Sequence, residues 1–86
     1  MPELSRFYGI VIRMYFDDHP PPHFHAQYGS DQAIIGIDGL AVLRGKLPAR
    51  ALGLVMEWAA LHEAELREQW RNAERLEPIR KIPPLD

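Results

Sequence analysis

Residues 32–44 read Gln-Ala-Ile-Ile-Gly-Ile-Asp-Gly-Leu-Ala-Val-Leu-Arg, two short apolar runs joined by Asp38-Gly39. Asp-Gly between alternating apolar residues is a strong hairpin signal, because both positions tolerate positive φ and the resulting turn matches the twist of its strands. The spacing predicts strands over residues 32–37 and 40–44. It places Ile37 opposite Leu40 and Ile35 opposite Val42 on one face, with Ile34, Gly36, Ala41 and Leu43 on the other.

Working toward the N-terminus, Gly29-Ser30-Asp31 is a turn signal, and residues 23–28 alternate Phe24, Ala26 and Tyr28 against His23, His25 and Gln27. Residues 7–16, rich in β-branched and aromatic side chains, read as one strand. Its core face is Ile10, Ile12, Met14 and Phe16, and its other face is Val11, Arg13 and Tyr15. Toward the C-terminus, Gly45-Lys46-Leu47-Pro48 breaks the alternation, and Pro48 suits the opening of a helix over residues 48–75. At ~100° per residue, Leu52, Val55, Met56, Ala59, His62, Leu66, Trp70 and Ala73 form a stripe that should cover the sheet. Leu54, Trp58 and Leu61 form a second apolar stripe. The Pro-rich tail from Pro78 onward cannot continue the helix. The expected fold is therefore a single α+β domain over residues 1–86: a four-stranded antiparallel meander, one long C-terminal helix packed on one face, and an extended tail.

Eighty-six residues with 47% hydrophobic content fill one core. The absence of cysteine excludes disulfides and thiolate metal sites. The N-terminal residues lack the basic start and apolar run of a signal peptide, and no apolar stretch approaches the ~20 residues of a membrane span. A cytoplasmic protein with no membrane association is expected. A net charge of −2 gives no global attraction to nucleic acid and leaves a local patch as the only route to it.

Chemistry concentrates in Asp17-Asp18-His19-Pro20-Pro21-Pro22-His23-Phe24-His25, which holds three of the four histidines. The prolines fix φ and push their predecessors out of the α region, so His19 to Pro22 should be a stiff, extended spacer. His23 and His25, two apart on a strand, project to one face, a spacing that presents paired imidazoles to a metal. His19, Asp18, Asp17 or His62 could complete such a set, with zinc as the candidate ion. A second possibility makes His23 or His25 a general acid or base, with Arg13 and Tyr15 holding a phosphate as in RNA cleavage or nucleotide binding. The plain alternative has both histidines capping the proline turn and bonding to backbone or nearby acids, Arg13 paired with Asp17 or Asp31, and His62 buried and neutral. Arg67, Arg71 and Arg75 complement the helix macrodipole, with Glu63 four residues before Arg67. Together with Arg80 and Lys81 they could also form a small basic patch.

Phe7-Tyr8-Gly9-Ile10, Met14-Tyr15, Asp18-His19 and Pro21-Pro22-His23-Phe24-His25-Ala26 resemble the hallmark of a family of small prokaryotic proteins, domain of unknown function 4160. The likeness continues through Gly45-Lys46-Leu47-Pro48, Glu57-Trp58-Ala59, His62, Glu65-Leu66 and Trp70, and is loosest over residues 30–43. Members are often encoded beside another small protein in an arrangement similar to toxin–antitoxin pairs. The resemblance carries over no catalytic residue. It implies a small cytoplasmic binding or regulatory component of a two-gene module. Leu54, Trp58 and Leu61 are the expected contact surface for a protein partner or a second copy of the chain, the alternative being that the tail folds back and covers Trp58 with Ile79 and Ile82. A small ribonuclease using His23 or His25, and a metal-binding protein, are the alternatives.

Overall fold

The run expected as one strand over residues 7–16 is instead a hairpin. The computed structural model, which describes residues 2–86, places Tyr8 and Gly9 at φ 49° and 80° between β1 (Glu3–Phe7) and β2 (Ile10–Arg13). Phe7 pairs with Ile10, so the loop has two residues, both at positive φ as a type I′ turn requires. Apolar alternation continues across this loop and hides it. β2 stops at Arg13, and Phe16, expected in the core, is 42% exposed beside Asp17, whose φ is 53°.

β3 (His23–Tyr28), β4 (Asp31–Gly36) and β5 (Val42–Gly45) complete a five-stranded antiparallel sheet whose spatial order is the chain order. Ile35 faces Val42 as expected. The turn is wider than two residues: Gly39 and Leu40 both take positive φ, and the Gly36 N–H bonds to the Ala41 carbonyl. Ile37 leaves the hairpin altogether. It is buried, and its N–H bonds to Pro22 O at 2.9 Å. A bulge between Ile34 and Ile35 shifts the last ladder, so the pairing of Ile37 with Leu40 is replaced.

Two helices follow where one was expected. α1 (Ala49–Leu61) and α2 (Glu63–Glu74) meet at His62, whose φ of −123° and ψ of 27° break the helical path. The helices cover one sheet face, burying Ile10, Ile12, Phe24 and Ile35 beneath Val55, Trp58 and Leu66. The core stripe runs through Ala51, Val55, Trp58 and Ala59 in α1 and Leu66, Trp70 and Ala73 in α2, while Leu52, Met56 and His62 are half-buried. His62 is thus placed at the helix junction, with Nδ1 bonded to Glu65, and not deep against the sheet.

Trp58 belongs to this core. It is 0% exposed, its ring lies 5.5 Å from Phe7 and 5.8 Å from Phe24, and its indole N–H donates to Pro83 O at 2.8 Å. The tail folds back to provide that carbonyl: Ile82 is buried and its N–H bonds to Leu4 O at 2.7 Å. The continuous apolar surface expected of Leu54, Trp58 and Leu61 therefore does not form. Leu54 is half-buried and Leu61 alone is exposed, at 67%. Among the described residues, no helix is long and apolar enough to cross a membrane.

Candidate functional site

The connector between β2 and β3 is pinned at both ends. The Asp17 N–H bonds to Ala73 O at the end of α2, and Pro22 O accepts from Ile37 at the end of β4. Between these ties the chain bends at a cis Pro20–Pro21 peptide and does not run extended. Asp18 lies back over β3, within reach of His23 and His25.

There Asp18, His23 and His25 each direct one ligand-type atom into a common space, all within 4.8 Å of one another. His23 Nε2 lies 2.9 Å and His25 Nε2 3.4 Å from the same oxygen, Asp18 Oδ2. The other carboxylate oxygen, Oδ1, accepts the His19 backbone N–H at 2.8 Å. His19 thus supports the cluster through its main chain. Its own side chain is exposed and outside the set.

His23 Nδ1 is 2.8 Å from Pro21 O. A carbonyl only accepts, so Nδ1 carries the proton and the neutral ring would have a lone pair at Nε2. That lone pair faces a carboxylate oxygen. Two acceptors at hydrogen-bond distance require a proton or a metal ion between them. The contacts to Pro21 and Asp18 are also those of the plain expectation for these histidines.

The cluster is walled by aromatic rings. His23 lies 5.0 Å from Trp70 and 5.3 Å from His25, and Tyr15 meets His25 nearly edge-on at 4.5 Å. Burial works against ionisation of Asp18, but the His19 N–H and the His25 and His23 rings outweigh it and hold the carboxyl below its ordinary range. His25 is also held below its ordinary value: burial dominates, the bond to Asp18 opposes it, and neighbouring His23 adds to it.

Register places Arg13 directly opposite His25. Arg13 Nη1 donates to Gln27 Oε1 at 2.7 Å, in place of the expected partner Asp17 or Asp31. Arg13, Tyr15, His23 and His25 are therefore neighbours, as are Asp18, His23 and His25. Leu54, Trp58 and Leu61 stand on α1 and take no part. Arg67, in the expected cationic series, pairs with Asp38 and Glu63. Sequence reasoning did not single out Arg44. It lines a depression of about 370 Å³ together with Asp18, His23, His25, Ile34 and Leu43. Only the β3–β4–β5 register, including its bulge, brings it there.

No curated protein and no solved structure is similar to the chain at a significant level. A family model described as Domain of unknown function (DUF4160) matches residues 9–71, from the β1–β2 turn to within α2 and across the whole cluster. The chain belongs to that family.

Proposed function

We propose that this protein works through a divalent metal ion held by Asp18, His23 and His25. The observation that carries this reading is the orientation of His23: its Nδ1–H is committed to Pro21 O while Nε2 faces Asp18 Oδ2. Metal-ligating histidines typically donate their second ring N–H to a backbone carbonyl, which fixes the tautomer. Two imidazoles and one carboxylate, without thiolate, suit zinc or another divalent transition ion. Three protein ligands leave further coordination positions free, as in catalytic rather than structural sites. An ion so held would supply Lewis acidity at the site. The backbone ties at Asp17 and Pro22 keep the ligands in place before anything binds.

Isothermal titration calorimetry with zinc chloride at pH 7.5 tests the site. Binding at one equivalent, lost in the Asp18→Asn and His23→Ala/His25→Ala proteins, is expected. No heat of binding, or equal binding by the double variant, would sink the reading.

A second reading is favoured by β5. All of Val42–Gly45 is exposed at the edge of the sheet, with the Val42 and Leu43 side chains in water. An exposed apolar edge is where a partner strand adds. On this reading the chain is a binding or regulatory component of a two-gene, toxin–antitoxin-like module and pairs its partner at β5. The Leu43→Lys protein should no longer co-purify with the neighbouring gene product; undiminished co-purification argues against β5 as the contact.

A further inference from the structure

The sheet face opposite the helices carries Arg13, His25, Ile34 and Arg44 as consecutive cross-strand neighbours on four strands. At ~4.8 Å per strand step, the two arginines start about 14 Å apart on either side of the site. Neither has a carboxylate within ion-pair distance among the described residues, whereas Arg6 and Arg67 both do. Arg13 bonds to the Gln27 amide, which directs its guanidinium without neutralising it. Arg13 pairs in register with Glu3 on β1, so of the two cations that flank His25, in a chain of net charge −2, Arg44 is the one without a carboxylate opposite it.

Arg44, unlike Arg13, lines the depression that holds the cluster. With His25 and Ile34 it lines both the depression holding Asp18 and His23 and a second one of about 300 Å³ beside Gln32 and Gly45. Its position is set by backbone. Gly45 takes a φ of 78°, and a side chain there would overlap the Gln32 carbonyl oxygen, so β5 turns sharply next to Arg44. A planar, permanently charged fork beside a three-ligand centre suits a tetrahedral oxyanion, one oxygen near the centre and others on the guanidinium.

We propose that the trough shared by the Asp18–His23–His25 centre and Arg44 binds the phosphate of a phosphate ester, with Arg44 as its anchor and Arg13 as a flanking charge. This rests on the metal-centre reading, and the test separates the two. Zinc affinity is measured first, without phosphate, on wild type, Arg44→Gln, Arg44→Lys and Arg67→Gln proteins, with circular dichroism confirming the fold of each. The zinc-loaded proteins are then titrated with inorganic phosphate, uridine 5′-monophosphate, a ten-residue oligouridylate and glutarate.

The expected result is unchanged zinc affinity in all four proteins and phosphate-ester binding by wild type. That binding weakens about tenfold or more in Arg44→Gln, less in Arg44→Lys, and stays the same in Arg67→Gln. Mononucleotide and oligonucleotide binding equally would identify a small ester as the ligand. Affinity that rises with chain length and falls with salt would identify a single strand. Both support the proposal. It is overturned if no phosphate compound binds the zinc-loaded protein, if Arg44→Gln binds as wild type, if Arg67→Gln loses as much, or if glutarate binds as tightly as phosphate. Loss of zinc binding in wild type refutes the centre itself and is seen before phosphate is added.

Discussion

His23 donates one ring N–H to Pro21 and turns its other nitrogen toward Asp18, so a proton or a metal ion must lie between that nitrogen and the carboxylate. The Asp18→Asn protein should therefore stay folded, because an amide N–H can satisfy the His23 lone pair, yet lose zinc. Thermal denaturation and calorimetry on one sample check both halves. The pH response of the metal-free protein follows from the two displaced groups. Asp18, held below its ordinary 3.8, contributes stability that is present above that pH and is lost as pH falls through the folded value. His25, held below its ordinary 6.5, favours the neutral ring in the fold, so its contribution is complete above 6.5 and declines as pH falls from there to its folded value. Melting temperature should thus fall between pH 7 and pH 5, and His25→Gln should flatten that decline; an equally steep decline in the variant contradicts the assignment. Alternation alone put His23 and His25 on one face, and so that half of the site was legible in the sequence. Asp18 was legible only as one of several acids, because its approach goes with backbone ties from the connector to α2 and to the end of β4 that no local pattern encodes.

The elements were readable wherever local chemistry and tertiary packing agreed. β3, β4 and the entry to α1 lie close to where alternation and Pro48 put them. The β1–β2 turn was not readable because Tyr8, a bulky aromatic, occupies a left-handed position usually left to Gly or Asn, and apolar residues continue on both sides. The helix break was hidden for a related reason: no proline or glycine marks His62, and the stripe passes smoothly through it. Backbone conformation makes Gly45 the most constrained link of the sheet. Gly45→Ala must relieve both a φ of 78° and overlap with Gln32 O, so it should destabilise by more than about 1 kcal/mol. It should also release β5, which hydrogen exchange at Val42 and Arg44 would detect. Protection equal to wild type at those amides would show that the edge strand holds without this turn.

Over the whole molecule, the tail decides what the helix face can do. By covering Trp58 with Ile82 and accepting its indole proton at Pro83, the tail turns an apolar stripe that suggested an interface into interior. From the sequence this was only the alternative to an interface, since the first stripe had the claim to the sheet and the tail carries no periodic signal that would choose between the two. Trp58→Ala should cost roughly 3–5 kcal/mol in urea denaturation. Deleting residues 78–86 should cost about 2–3 kcal/mol and shift tryptophan emission to the red; a stable deletion with unshifted emission would place the cover elsewhere. The strand order has a kinetic counterpart. Because each strand pairs with its neighbour in sequence, every ladder closes a short loop, and the sheet should form rapidly from hairpins. The bond from Ile82 to Leu4 instead joins the two ends of the described chain and has no such local route. It should form after the rate-limiting barrier, so Ile82→Ala, which removes the buried side chain that holds the tail down, should raise the unfolding rate while leaving the refolding limb of a chevron plot unchanged.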